Sequence, residues 1–304
     1  MIDYGTGPAA DEMEVMVFGP GYGEAIAVHL GTNQWMLVDS CLDPDTKSPA
    51  SLSYLDRIGA SPESVLSVIA SHWHDDHVRG FSEIVAKCTA AELSISATFN
   101  NKEALAFLAA YSGEPTPGLA KGARELFQSM QSRDTVHIVH QRSNIIGEQI
   151  GGRRVQVSAL SPVEGALAQS VARLASYLPS PKGGSPIKHA PELEPNIESV
   201  VVHIDVDGET ILLGSDLENH ATLGWSAIVS DRWVSGRIPA TAYKVAHHGS
   251  HTGDAQAIWT TLLQAEPVAC MTPFINGSVK LPSDSDRQRI RAATPHRYIS
   301  SGAS

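Results

Sequence analysis

The stretch of sequence richest in chemically active side chains packs three histidines and two aspartates into six residues. It reads SHWHDDHVRGF over residues 71–81, and its candidate metal ligands are His72, His74, Asp76 and His77. At an extended strand end His72 and His74 would point to the same side, with the other two ligands on the turn beyond. Imidazole and carboxylate groups suit zinc, iron and manganese, so this spacing predicts a metal site rather than a solvated loop.

Two further clusters, in the second half of the chain, also follow apolar strands. LLGSDLENH supplies Asp216, which taken alone could equally cap the helix after it. YKVAHHGSHTG supplies His247 and His248. Neighbouring residues of a strand point to opposite sides, so both histidines can face one site only if a turn has begun, which Gly249 permits. We expect one histidine to bind metal and the other to face the substrate.

The elements that must position these clusters alternate between strands and helices in both halves of the chain. The first half opens with a meander of short strands over residues 13–40, and SVLSVIAS at 64–71 is apolar enough for a sheet covered on both faces. The second half repeats this order, with a hairpin over 199–213, a helix over 219–229 and a strand over 242–247. Two such halves can pack sheet against sheet with helices outside. This predicts an α/β (α+β) fold, a four-layered αββα sandwich.

The domain organisation follows from the absence of a dividing linker. No segment clearly splits the chain, which predicts a single domain over residues 1–304. One Pro- and Gly-rich stretch without periodicity, LPSPKGGSPIKHAPELEPN, covers residues 178–196. A loop of that length inside a domain is commonly a lid, a binding loop or a disordered segment.

Composition limits the partners. A formal net charge of −11 argues against tight, non-specific binding of long nucleic acid, but allows a small phosphorylated substrate or a nucleic-acid strand or end held by metal. No apolar run approaches the roughly 18 residues that span a bilayer, and the N-terminus lacks signal-peptide character. We therefore expect a cytoplasmic protein without a membrane partner. The three scattered cysteines predict neither a disulfide framework nor a cysteine zinc site.

The three clusters, in this order, resemble the metallo-β-lactamase superfamily of metallohydrolases, whose fold is the αββα sandwich. The segment PNIESVVVHIDVDGETILLGSD followed by KVAHHGS is similar to a narrower branch. That branch contains the hydrolase domain of bacterial DNA-uptake competence proteins and the choline-phosphate esterases of teichoic acid. The resemblance covers roughly residues 13–273. It implies a hydrolase that uses two divalent metal ions, Zn or Mn, and a metal-bridging hydroxide.

The resemblance also implies a role for each matching residue. Six residues would bind the metal ions: His72 and His74 the first ion, Asp76, His77 and His248 the second, and Asp216 both. His247 would lie beside the phosphoryl or acyl oxygen, and Asp76 could also hand on a proton. Asp39, in LVDSC, would support the metal loop from behind, as carboxylates that orient metal-binding histidines do.

One family ligand has no counterpart here. Many members supply a third histidine to the first ion from a loop before the bridging aspartate, and Asn196 stands at about that place. We expect Asn196 to support the site. His189, in the Pro-rich loop, could reach the metal instead, whereas the strand position of His203 favours a structural role. The narrower branch also lacks this third ligand, so the gap fits the narrower resemblance.

Three functions remain open. The HHGS resemblance alone favours a phosphodiesterase or nuclease. The same centre can hydrolyse a carboxylic ester, lactone or thioester, an alternative that the −11 charge keeps open. A non-catalytic, metal-stabilised sensor or partner subunit is the third reading, because the third histidine is absent and Leu281 stands where the branch often has a histidine. Lys244 and the arginines of residues 287–297 could receive phosphates, although a solvated helix face also explains the arginines. Protein partners and oligomeric state are undetermined.

Overall fold

The computed structural model describes residues 5–112, 120–178 and 195–300. Their strands form two large sheets and a small hairpin. The first sheet has six strands, in chain order: β1 (Glu14–Phe18), β2 (Ala25–Gly31), β3 (Gln34–Val38), β4 (Val65–Ala70), β5 (Glu92–Ser96) and β6 (His137–Val139). The second sheet begins with β7 (Asn144–Ile150), β8 (Arg153–Ala159), β9 (Val202–Val206), β10 (Glu209–Leu213), β11 (Ala240–Lys244) and β12 (Leu263–Met271). The hairpin pairs β13 (Phe274–Asn276) with β14 (Val279–Leu281), and β15 (Arg297–Ile299) completes the second sheet beside β12.

The helices lie between the strands along the chain. Within the described residues they are α1 (Ala50–Arg57), α2 (Asp75–Val78), α3 (Phe81–Lys87), α4 (Lys102–Ser112), α5 (Ala120–Gln131), α6 (Glu164–Ala175), α7 (Trp225–Ser230), α8 (Arg232–Ser235) and α9 (Asp284–Ala293). None of these is long and apolar enough to cross a membrane.

Two sheets packed face to face, with helices on their outer faces, form the core. Successive side chains of a strand point to opposite faces. In β3, Met36 and Val38 therefore meet side chains of the second sheet, while Leu37 packs in the cluster that contains Phe81 of α3 and Phe107 of α4. A third cluster lies between the second sheet and its helices, and includes residues of α7 and α9. The four-layered αββα sandwich expected from the sequence is confirmed, as is the mixed α/β class.

Parallel pairing places the ends of the central strands at one edge of each sheet. Strands β3 to β6 run parallel in the first sheet, and β10, β11, β12 and β15 run parallel in the second. In sheets of this kind ligand sites form outside the carboxyl ends of the strands. The loops that follow β3, β4, β10 and β11 carry Asp39, His72, Asp216 and His247.

Some predicted bounds differ from the structure. The predicted helix over 219–229 is wrong at its start, since α7 begins at Trp225. A β-carbon added at Gly224 would lie 1.9 Å from the carbonyl oxygen of Glu218, so this close approach requires glycine in the preceding turn. The predicted strand over 242–247 ends earlier, at Lys244.

The described residues do not test two other expectations, the role of the Pro- and Gly-rich stretch and the number of domains. Residues 179–194 of the Pro- and Gly-rich stretch, including His189, lie outside the described residues. The assignment of the whole chain to one domain stays a prediction.

Candidate metal centre

The loop after β4 and the short helix α2 place the first histidine cluster at the buried edge of the first sheet. His72 and His77 are buried, Asp76 is nearly so, and His74 is partly exposed. Four imidazole rings lie in a row, with centroid separations of 5.0 Å for His74–His72, 4.2 Å for His72–His77 and 5.6 Å for His77–His248. The first and third clusters of the sequence therefore meet in space.

Asp216, at the end of β10, lies between two of these rings. Its Oδ1 is 3.3 Å from His77 Nε2, and its Oδ2 is 3.4 Å from His248 Nε2. Asp76 Oδ2 also approaches His248 Nε2, at 3.2 Å. Each carboxylate oxygen of Asp216 thus faces a different buried histidine.

The turn after β11 explains how two adjacent histidines serve one site. His247, His248 and Gly249 all have positive φ, at 50°, 53° and 82°. This left-handed run begins the turn at His247, which is what the sequence analysis required for both side chains to be used. His248 is buried against Asp76 and Asp216, whereas the His247 side chain keeps 20% of its surface exposed.

His247 has polar neighbours at both ring nitrogens. Its Nδ1 lies 2.8 Å from Thr252 Oγ1 and 3.3 Å from a Glu218 carboxylate oxygen. Its Nε2 lies 3.5 Å from the amide nitrogen of Asn196, which also donates to Glu218 at 3.2 Å. Asn196 is buried, and its amide oxygen has no hydrogen-bond partner. The structure thus places Asn196 beside His247, where it helps to orient the ring.

Asp39 lies directly behind the metal loop. Its carboxylate accepts from the Ser71 amide at 2.7 Å, from the Ser71 hydroxyl at 2.6 Å and from His77 Nδ1 at 2.7 Å. Burial raises the pKa of Asp39, although the His77 imidazole and the Ser71 donors oppose this rise. Because Nδ1 of His77 donates this hydrogen bond, Nε2 is the ring nitrogen that faces Asp216 and is left for a cation.

Burial and neighbouring charges shift the pKa values of the cluster in opposite directions. Burial, together with His77 and His74, holds the pKa of His72 well below its usual range, so this ring is neutral. Burial opposes ionisation of Asp76 and Asp216, but the charges of His77 and His248 hold both pKa values below the usual range. Burial also opposes protonation of His248, yet Asp216 and its neighbours raise the pKa to about 9.

The donor set fits divalent cations. His77 Nε2 and Asp216 Oδ1 are buried and make no hydrogen bond, although buried polar atoms normally have partners. Four residues, Glu24, His77, Asp216 and His248, offer ligand atoms that all lie within 4.8 Å of one another. Imidazole nitrogens and carboxylate oxygens are ligands that zinc and manganese accept. A cation would take up both unpaired atoms and replace the protons that the histidines otherwise hold.

Glu24 was missed by the sequence reasoning. It directly precedes β2, is 1% exposed and forms an ion pair with Lys244, whose side chain is equally buried. An acidic residue directly before a mostly apolar strand was the available signal, because a carboxylate is almost never buried without a partner. The expectation that Lys244 could receive phosphates is wrong, since its ammonium group is enclosed and paired.

Other candidates lie away from the cluster. His203, in β9, donates from Nε2 to the Ile238 carbonyl at 2.9 Å, as a structural histidine would. Arg289 is not available for phosphate, because its guanidinium donates to Asp254, to Asp286 and to the Gly249 carbonyl, each at 2.6 Å. The three cysteines are free thiols.

A small cavity opens beside Asp76. Its volume is about 230 Å³, and its lining includes Tyr22, Lys47, Asp75 and Arg79. Arg79 is fixed by an ion pair with Asp75 at 2.9 Å and stacks 5.1 Å from the centre of the Tyr22 ring. A polar, charged pocket therefore adjoins the candidate metal ligands.

Comparison with known proteins gives a family match over the first half of the chain. Residues 18–154 match the model of the metallo-β-lactamase superfamily. The metallo-β-lactamase fold protein YhfI from Bacillus subtilis is 12% identical over 94% of this chain and 95% of its own, with a TM-score of 0.46. A metallo-β-lactamase of Cronobacter sakazakii with a HARLDQ motif is 17% identical over 77% and 75% of the two chains, with a TM-score of 0.44. No curated protein matches the sequence. Likenesses this distant say nothing about the substrate.

Proposed function

Since this chain carries a domain of the metallo-β-lactamase superfamily, we propose that its metal centre hydrolyses phosphodiester bonds in small phosphorylated substrates or at nucleic-acid ends. The observation that carries this proposal is the convergence of buried imidazoles and carboxylates from three strand ends of two facing sheets. The preference for phosphodiesters rests on the resemblance of the KVAHHGS segment to the branch with competence-protein hydrolases and choline-phosphate esterases.

The proposed ligand roles follow the geometry. The first ion would be held by His72 and His74, the second by Asp76, His77 and His248, and Asp216 would contact both. Two divalent cations bound there would supply a water nucleophile at neutral pH and offset negative charge that develops on the phosphoryl oxygens.

The remaining polar residues would orient the His247 ring, and His247 would exchange a proton with the substrate. Thr252 and Glu218 hold the His247 ring through Nδ1, which leaves Nε2 facing the site to exchange a proton with a substrate oxygen. The Asn196 amide keeps that ring from turning away. These contacts support our assignment of His247 as a proton donor or acceptor rather than as a metal ligand.

The size of the cavity and the net charge of the chain favour a small substrate group. The cavity beside Asp76 holds about 230 Å³, below the roughly 300–1,000 Å³ of pockets for drug-sized ligands. Its lining carries the cations Arg79 and Lys47 together with Asp43, Asp75 and Asp76, so the size of the cavity, rather than its charge, supports the proposal. A net charge of −11 opposes binding along a nucleic-acid backbone, so an end or a small ester is favoured over a long strand.

The test combines metal analysis with a choice of substrates. We expect about two Zn or Mn ions per chain. Bis-p-nitrophenyl phosphate should be cleaved faster than p-nitrophenyl acetate, and a chelator should abolish turnover. Asp76→Ala and His248→Ala should each lower kcat/KM by at least about 100-fold, because both remove a proposed ligand. His251→Ala is the matched control, since this exposed histidine lies only three residues from His248 and outside the cluster.

Each other result has a defined meaning. A purified protein with almost no bound metal, whose stability a chelator does not change, would contradict the hydrolase proposal. Preferential cleavage of the acetate would favour the ester, lactone or thioester alternative. Two bound ions without turnover on any of these substrates, including single-stranded DNA, would favour a metal-stabilised sensor or partner subunit. Full turnover in both ligand variants would show that the proposed site is wrong.

A further inference from the structure

A buried chain of polar groups lies behind His248, on the far side of its ring from Asp76 and Asp216. The Lys244 ammonium pairs with Glu24 Oε2, and the Thr272 hydroxyl donates to that same oxygen at 2.5 Å. Thr272 Oγ1 in turn lies 2.9 Å from His248 Nδ1. All four side chains are at most 2% exposed, so solvent does not compete for these hydrogen bonds.

The protons of this chain can be assigned from donor and acceptor capacity. A threonine hydroxyl has one proton, and an ionised carboxylate can only accept. The Thr272 proton is therefore used on the Glu24 carboxylate, which is paired with Lys244, and Thr272 Oγ1 must accept from His248 Nδ1. With Nδ1 engaged in this way, Nε2 is the ring nitrogen of His248 that faces Asp76 and Asp216 and is left for a cation.

The chain also joins the two sheets at the metal centre. Glu24 precedes β2 of the first sheet, Lys244 ends β11 of the second, and Thr272 directly follows β12. The Glu24 amide donates to the Asp76 carbonyl at 2.8 Å, which fixes Glu24 to the loop that carries the first histidine cluster. The arrangement parallels that of Asp39, which holds Nδ1 of His77 from the first sheet.

We propose that Glu24, held by Lys244, is a positioning residue that acts through Thr272 to fix the metal-binding form and orientation of His248. The inference rests on the proposed function insofar as His248 binds the second metal ion. It assigns a role to three residues that the metal-ligand set does not include.

Direct coordination by Glu24 is the competing explanation. Glu24 does lie in the group of four whose ligand atoms fall within 4.8 Å. Its Oε2, however, approaches His248 from Nδ1, at 3.8 Å, whereas Asp76 and Asp216 approach Nε2. A cation bound to Nε2 therefore lies across the ring from Glu24 Oε2. Glu24 Oε1 is buried without a hydrogen-bond partner, and the experiment below distinguishes coordination through that atom from the relay.

The test measures zinc affinity rather than turnover. Zinc binding is followed by competition with a chromophoric chelator on wild type, Thr272→Val, Thr272→Ser and Thr294→Val. Thr272→Val removes the relay while keeping side-chain shape, and should weaken one of the two zinc sites by about 10–100-fold. Thr272→Ser restores the hydroxyl and should bind like wild type. Thr294→Val is the matched control, because Thr294 is equally buried but donates to the Pro267 carbonyl.

A second readout separates positioning from general damage. Long-range ¹H–¹⁵N NMR of the zinc-free protein, recorded above pH 9 where the His248 ring is neutral, should show its proton on Nδ1 in wild type and a mixture of forms in Thr272→Val. Unchanged zinc affinity and an unchanged imidazole form in Thr272→Val would overturn the relay. So would loss of a whole zinc equivalent in Glu24→Gln with wild-type affinity in Thr272→Val, because that result identifies Glu24 as a ligand.

The outcomes distinguish this inference from the proposed function. Two zinc ions bound without phosphodiester cleavage, together with weakened binding in Thr272→Val, would support the relay and reject the phosphodiesterase. Wild type that binds no zinc would overturn both.

Discussion

At the scale of single residues, the three buried histidines of the metal centre share one hydrogen-bonding arrangement. His77 is held through Nδ1 by Asp39, His248 by Thr272, and Nδ1 of His72 lies 3.1 Å from the Ser71 hydroxyl. Each ring is thus oriented from behind, which leaves Nε2 for the site. Such supporting contacts set the tautomer and basicity of a ligand and so contribute to metal affinity.

His247 differs from these three because it is not a proposed metal ligand. Its substitution should therefore affect turnover without affecting metal binding. His247→Gln is expected to retain both metal ions while kcat falls by at least about 100-fold, because the variant loses a proton-transfer group and no proposed ligand. Metal analysis and steady-state kinetics on bis-p-nitrophenyl phosphate check this. His251→Gln is the control and should leave both quantities unchanged. Loss of a metal ion from His247→Gln would instead make His247 a ligand.

At the scale of elements, the left-handed turn after β11 determines where both histidines point. Gly249 ends this turn with a φ of 82°, and a β-carbon there would lie 3.2 Å from Met271 Sδ and 3.3 Å from Ile290 Cδ1. Its carbonyl also accepts from Arg289 of α9. The turn is therefore held between β12 and α9, and its shape depends on both.

Gly249→Ala should destabilise the protein and weaken zinc binding by more than backbone strain alone explains. Its free energy of unfolding is expected to fall by about 3 kcal/mol, from the left-handed conformation and from crowding against two buried side chains. Gly59→Ala is the matched control, because Gly59 also has positive φ, at 72°, but an added β-carbon meets nothing within 4 Å. It should cost about 1 kcal/mol and leave zinc affinity intact. Urea denaturation and zinc competition measure both effects, and equal losses in the two variants would contradict the proposed packing role.

At the scale of the whole molecule, the closely packed charges make stability depend on pH. Facing carboxylates raise the pKa of His248 from 6.5 to about 9 and hold that of His77 well above its usual range. A pKa raised in the folded state adds stability that is fully present below the unfolded-state value and is lost as pH rises through the folded-state value.

The zinc-free protein should therefore lose stability between about pH 6.5 and pH 9. The stabilisation of the folded protein by zinc should show the opposite trend. The metal competes with protons for the same imidazoles, so zinc should stabilise the fold more as pH rises. Urea denaturation with and without zinc across this range checks both trends. His248→Gln should flatten the zinc-free profile, whereas His251→Gln should not. A zinc-free profile that is flat in wild type would contradict the assigned pKa shifts.

Several features could be predicted from the sequence because they are local. Ligand types and spacings are visible in SHWHDDH, GSD and AHHGS, and strand and helix periodicity placed these motifs at strand ends. The αββα layers followed from the same alternation. Asp39 was found through the family resemblance, and the structure brings it to His77 Nδ1.

Only the tertiary structure decided how distant polar groups pair. Thr272 and Glu24 are 248 positions apart, and nothing in their local sequence indicates that they meet behind His248. Lys244 was predicted to be free for phosphate, but sheet packing buried it against Glu24. Which side of a ring faces a cation, and which charge is neutralised by a neighbour, depend on the register and packing of two sheets. That long-range geometry does not follow from residue types and spacings along one chain.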